Sequence, residues 1–170
     1  LHCFPRVLGY GFNPLSIFWC YGVEGGLRAI LYEVKNTFGE QHVYLVPVDS
    51  GGRIDLAALR AAIEVDPDSV ALISVMWANN EVGTVQPISD VVALAEPYGI
   101  PVHTDAVQAV GQLPVDFAKS GVDALTLTGH KVGGPFGVGA LAVRRELAIT
   151  PLIHGGGQER DIRSGTIDAP

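Results

Sequence analysis

Two stretches of this chain set reactive side chains immediately after apolar runs. The first is His103-Thr104-Asp105-Ala106-Val107-Gln108; the second, one connection later, is Thr126-Leu127-Thr128-Gly129-His130-Lys131. Together they offer a carboxylate, an amide and a primary amine. A pyridine ring bearing an aldehyde and a hydroxyl asks for those groups. Asp105 can pair with a pyridinium nitrogen and keep it protonated, Gln108 can reach a ring hydroxyl, and Lys131 can condense with the aldehyde as a Schiff base. Pyridoxal phosphate is the cofactor with that pattern.

Each residue also has a plainer role. An Asp after a strand often caps the element that follows. An amide such as Gln108 commonly satisfies local backbone groups, and a single lysine behind a strand is most often a solvated surface residue. Lys131, however, stands behind Thr-Gly-His and ahead of a Gly-Pro turn.

The elements that must carry these residues change character near residue 46. Before it, glycine and proline punctuate aromatic-rich stretches, and Leu15 to Tyr21 and Leu27 to Val34 read as strands joined by a Gly25-Gly26 turn. After it the pattern alternates between strand and helix. Val43 to Val48 reads as a short strand, and Asp55 can cap a helix that repeats Leu56, Leu59, Ala62 and Ile63 at helical spacing. Val70 to Met76 reads as a buried strand. Ser89 or Asp90 can cap a second helix carrying Val91, Val92, Leu94 and Ala95, ending before Gly99. Val102 to Thr104, Ala124 to Thr128 and Ala140 to Val143 supply further strands. The expectation is an α/β fold: a mostly parallel sheet with flanking helices, preceded by a β-hairpin-rich segment. Ligands of such sheets bind beyond the carboxyl ends of the strands. Asn79, Asn80, Asp105, Gln108, His130 and Lys131 all follow apolar runs in that way.

Composition narrows the function further. The chain has 170 residues, 48% of them hydrophobic and 17% charged, enough for one ordinary core. A net charge of -7 disfavours nucleic acid and anionic membrane surfaces, which call for clustered Lys and Arg. No apolar run approaches the roughly 20 residues of a membrane-spanning helix, and no secretory signal is visible. The two cysteines, Cys3 and Cys20, are too few for a disulfide framework and lack metal-ligand spacing, so a reducing cytoplasm is the expected compartment and no metal is expected. The chain starts at Leu1 and stops at Pro170 inside an apparent motif, and is expected to be a piece of something longer.

Residues from about 45 to 170 resemble the central part of a cysteine desulfurase. These are NifS/IscS-like class V aminotransferases, of fold type I among pyridoxal-phosphate enzymes. The resemblance rests on Ala78-Asn79-Asn80-Glu81-Val82-Gly83, on the two stretches already described, and on His154-Gly155-Gly156-Gly157-Gln158-Glu159-Arg160 running into Arg163-Ser164-Gly165-Thr166. It implies that residues 47–170 form part of the large domain of such an enzyme. Lys131 would be the catalytic Schiff-base lysine, Asp105 the partner of the pyridine nitrogen and Gln108 the donor to the ring hydroxyl. Thr128, where serine is common in the family, and His130 would contact the phosphate. Asn80 would lie near the ring hydroxyl and substrate carboxylate, and Thr166 would reach the phosphate in a neighbouring subunit. The plainer readings are a turn-forming asparagine at Asn80, a backbone-satisfying histidine at His130 and an exposed threonine at Thr166. His103 matches no catalytic residue of the family and is read as a support residue.

The resemblance further implies L-cysteine as substrate, alanine as product and a persulfide on an enzyme cysteine. Sulfur-acceptor proteins, iron-sulfur cluster assembly and a homodimer follow from the same family. Neither Cys3 nor Cys20 matches the family's nucleophile. Its substrate-carboxylate arginine and its amino-terminal cofactor segment have no counterpart here either, so this chain is expected to be inactive alone. Residues 1–46 resemble instead a bacterial family of unknown function, with a junction within Tyr44 to Val48 and a composite chain as the expectation. A selenocysteine lyase, another class V lyase or transaminase, and a non-enzymatic truncated product remain as alternatives.

Overall fold

The computed structural model describes residues 46–166 and, in backbone alone, residues 15–21 and 27–34. The Gly25-Gly26 turn, Cys3 and the Tyr44-Leu45 part of the expected junction lie outside the described residues. The chain divides into two units, Leu1–Ser69 and Val70–Pro170.

In the first unit, β1 (Leu15–Tyr21) and β2 (Leu27–Val34) pair antiparallel, with a register shift between Cys20 and Tyr21. This is the hairpin the sequence predicts. No strand forms at Val46 to Val48; there is only an isolated antiparallel bridge between Val48 and Ile54. Asp49 closes the intervening turn, its Oδ1 accepting from the Gly51 and Arg53 N–H groups. Helix α1 (Leu56–Val65) follows, capped as expected by Asp55, whose Oδ1 accepts from Ala57 and Ala58. Leu59 and Ile63, one helical turn apart, are its buried residues.

The second unit is built on a four-stranded sheet in the order β3 (Ile73–Met76), β4 (Val102–Asp105), β5 (Ala124–Thr128), β6 (Gly139–Val143). The first pairs are parallel, β3 with β4 and β4 with β5, and β6 is antiparallel to β5. The sheet is thus mostly parallel, with one antiparallel outer strand. That strand is antiparallel because only ten residues separate it from β5, too few for a crossover.

Helix α2 (Ile88–Ala95) buries Ile88, Val91, Leu94 and Ala95 and packs on β4. Each fully buried side chain of this size contributes about 2 kcal/mol of transfer free energy. Neither Ser89 nor Asp90 is its cap. The residue before the helix is Pro87, without a side-chain cap, and Asp90 instead lies in the first turn, where its charge suits the helix dipole. A short 3-10 turn, Glu96–Tyr98, then ends at Gly99 in the left-handed region. The one-turn helix α3 (Phe117–Ser120), capped by Asp116 Oδ1 accepting from the Lys119 N–H, was not legible as an element.

Strand alternation sorts the sheet into two faces. Val102, Thr104 and Leu125 are buried on one. Ser74, His103, Asp105, Thr126 and Thr128 share the other, since Ser74 pairs with His103 and Asp105 with Thr126. That face is only part-covered, with Ser74 exposed and the rest half-buried.

Candidate active site at the carboxyl ends of the parallel strands

The parallel pairing delivers the exits of β3, β4 and β5 side by side. Asp105 is the last residue of β4, paired with Met76 on one side and Thr126 on the other. Its carbonyl accepts from the Trp77 N–H (2.8 Å), and the next residue, Ala106, donates to the Thr126 carbonyl (2.9 Å). One carboxylate oxygen, Oδ1, accepts from the Val107 N–H at 2.9 Å. The local capping role is therefore real, and it leaves Oδ2 available. Gln108, half-buried, follows in a tight turn closed by bonds from Ala109 and Val110 to the Ala106 carbonyl.

Beyond β5 the chain enters a 3-10 turn, Gly129–Val132, that carries His130 and Lys131 and ends at Gly133 with φ of 82°. Gly134 donates to the Gly129 carbonyl at 2.8 Å, and a Cβ at Gly134 would lie 3.0 Å from that oxygen. A side chain there would crowd the Gly129 carbonyl. Thr128 Oγ1 donates to the Val138 carbonyl and lies 3.1 Å from His130 Nδ1. With the hydroxyl proton given to Val138, His130 Nδ1 is the donor of the pair, and Nε2 makes no hydrogen bond among the described residues. The imidazole stacks on Phe136, centroids 5.5 Å apart. Lys131 is exposed.

The two turns touch. A Cβ added at Gly111, just beyond Gln108, would fall 3.2 Å from Val132 Cγ1, next to Lys131. Among the described residues, neither the Gln108 amide nor the Lys131 amine has a hydrogen-bond partner. Asp105, Gln108, Thr128, His130 and Lys131 thus collect at the exits of β4 and β5.

Asn80 follows the exit of β3, but it is exposed, its amide donating to Glu81 Oε1. Its neighbour Asn79 makes the turn instead: buried, it accepts from the Glu81 and Val82 N–H groups at 2.9 and 3.0 Å. Thr166 lies on a separate loop, joined to itself by the Ile153–Arg163 bridge and the Gly165-to-Gly156 bond. Arg163 Nη1 donates to the carbonyls of Ser164 and Gly165 at 3.0 and 3.1 Å, firming the loop before Thr166. Among the described residues no hydrogen bond joins Thr166 to the β4 and β5 exits.

His103, read from the sequence as a support residue, is held from both neighbouring strands. Its ring nitrogens lie 2.8 Å from Ser74 Oγ and 2.8 Å from Thr126 Oγ1. Burial lowers its pKa below the ordinary histidine value, and the nearby Asp105 charge opposes that only in part. The sequence signal for these partners was faint: serine and threonine at alternate positions within otherwise apolar strands.

A sheet of this order with a lysine turn after β5 defines a class of fold, and comparison with known proteins agrees. The aminotransferase class-V family matches residues 29–168, and the chain belongs to it. An IscS-like cysteine desulfurase of Mycobacterium tuberculosis is 57% identical over 127 residues, 75% of this chain and 32% of the relative. The X-ray structure of a NifS-like protein from Rickettsia africae superposes with a TM-score of 0.69 at 37% identity, covering 72% of this chain and 34% of that one. A structure described as SspA in complex with cysteine gives 0.67 at 44% identity, covering 74% and 35%. The chain spans about a third of the length of these relatives.

Proposed function

We propose that this chain carries the cofactor-holding core of a pyridoxal-phosphate-dependent cysteine desulfurase. The observation that supports it most is that the turns after Gln108 and after Lys131 touch, Gly111 against Val132, at the exits of the paired strands that end at Asp105 and Thr128. The donor set suits the cofactor chemically. Asp105 Oδ2 would hold the proton on the pyridine nitrogen, Gln108 would donate to the ring hydroxyl, and Lys131 would tether the aldehyde. Thr128 and His130 would meet the phosphate: His130 through Nε2, and Thr128 after turning its proton away from Val138. Asn80 would attend the substrate carboxylate, and Thr166 would serve the site of a second subunit.

When bound, pyridoxal phosphate supplies an electron sink for a carbanion at the substrate Cα. The chain's own residues supply position and proton movement. Lys131 Nζ would take up the Cα proton of the substrate, and the Asp105 carboxylate would hold a proton on the pyridine nitrogen. L-cysteine is the substrate we assign, on the strength of the desulfurase relatives and of the structure bound to cysteine. Sulfur would leave to a cysteine thiolate and then to acceptor proteins. Neither Cys3 nor Cys20 matches that nucleophile, so the reading assigns these residues cofactor binding and not turnover. The division at residue 46, a cytoplasmic setting and a homodimer belong to the same proposal. Among the described residues no helix is long and apolar enough to cross a membrane.

The experiment is an absorbance spectrum with added pyridoxal phosphate, before and after borohydride reduction, for wild type and Lys131→Ala. A visible band that reduction fixes on Lys131 supports the reading. Absence of the band, or its survival in Lys131→Ala, removes it.

A further inference from the structure

Asp105 ends its strand at the point where the chain turns away. Its backbone is held by one bond from Trp77 and, through Ala106, one to Thr126. A slip of one residue in β4 would carry the carboxylate to the opposite, helix-covered face. Two residues earlier on the same face, about 7 Å along the strand by its rise, the His103 imidazole reaches both neighbouring strands. It is 2.8 Å from Ser74 Oγ of β3 and 2.8 Å from Thr126 Oγ1 of β5. Both ring nitrogens are used. Thr126 is itself the residue paired with Asp105.

We propose that His103 is a positioning residue for Asp105, its imidazole bracing three strands so that the carboxylate stays aimed at a ring nitrogen. This rests on the cofactor reading given above. The hydroxyls at either end can donate or accept, so either neutral tautomer is fully satisfied. The groups facing the ring from β3 and β5 are Ser74, Met76, Ala124 and Thr126, none of them charged; among the described residues Asp105 on β4 is its ionisable neighbour. A neutral imidazole braces without competing, as a cation would, for the carboxylate that must face a pyridinium.

The test titrates pyridoxal phosphate into the whole 170-residue chain and follows the band that borohydride fixes on Lys131. The variants are His103→Ala, His103→Gln, Ser74→Ala and Thr126→Val, with Val122→Ala as a buried control away from the strand exits. Glutamine offers a donor and an acceptor on one side chain. His103→Ala should weaken cofactor binding about tenfold, Thr126→Val about threefold, and His103→Gln less than about twofold, the range of one or two hydrogen bonds. Val122→Ala should lower the melting temperature and leave affinity unchanged.

Unchanged affinity in His103→Ala overturns the proposal while leaving the cofactor reading intact. So does an equal loss in Val122→Ala, which would mark general destabilisation. A wild-type chain without the band overturns both. If His103→Ala does not fold, Ser74→Ala and Thr126→Val carry the test, and unmoved affinity in both overturns it.

Discussion

Thr104 Oγ1 is fully buried and has no hydrogen-bond partner among the described residues, on the helix-covered face of the strand that carries Asp105. A hydroxyl so placed costs desolvation that nothing offsets. Thr104→Val keeps the shape and removes the polar atom, and should raise stability by about 1 kcal/mol in urea unfolding. A loss of that size would mean the hydroxyl is satisfied after all. His103, on the other face, ties stability to pH. Its folded pKa lies below its unfolded one, so the unfolded chain binds the extra proton more readily. Its stabilising effect is complete above the ordinary value of about 6.5 and is lost as pH falls through the folded pKa. The urea midpoint of the wild type should drop between about pH 7 and pH 5 by more than that of His103→Gln. Equal drops would assign the loss to other groups. The two motif stretches stood out in the sequence because an acid, an amide and an amine after apolar runs offer a chemistry that few other patterns do. The Asn79 turn and the His103 partners could not, because serine, threonine and asparagine gain meaning only from what faces them across a strand.

At the scale of elements, the pieces with strong local signals were legible. The Asp55 cap and the apolar spacing after it fixed α1, and the β1 and β2 limits match their apolar runs. Errors fell where tertiary context outweighed local preference. Ser89 is a good capping residue, yet the helix begins one residue before it because Ile88 is drawn into the core. Helix α3 was missed because a single turn has no periodicity to read. It is held instead by long-range partners: Arg144 Nε donates to the Val122 carbonyl at 2.8 Å, and its guanidinium lies over Phe117. Gly121 ends α3 with φ of 82°, and a Cβ there would meet Val92 Cγ1 of α2 at 2.8 Å. Gly121→Ala combines a left-handed backbone with a clash. It should destabilise the protein by about 2 kcal/mol, read as a lower urea midpoint; a neutral result would show that α3 can shift away from α2.

For the whole molecule, alternation of apolar runs was enough to predict an α/β fold, and the sheet is mostly parallel as expected. What alternation could not supply was the direction of β6. The answer lay in the short glycine- and proline-rich connection after Lys131, too short for a crossover. That feature separates two timescales. The parallel pairs β3–β4 and β4–β5 must close long loops before they gain contacts, whereas β5 and β6 meet across ten residues. A hairpin of that kind forms in about 1–10 μs. In pulse-labelling hydrogen exchange, the amides of Leu127 and Ala140 should gain protection before those of Val75 and Thr104; the reverse order would show that the sheet nucleates at β4. The turn that carries Lys131 would then be in place while the strand that carries Asp105 is still unpaired, so that the strand exits would be completed from the aspartate side.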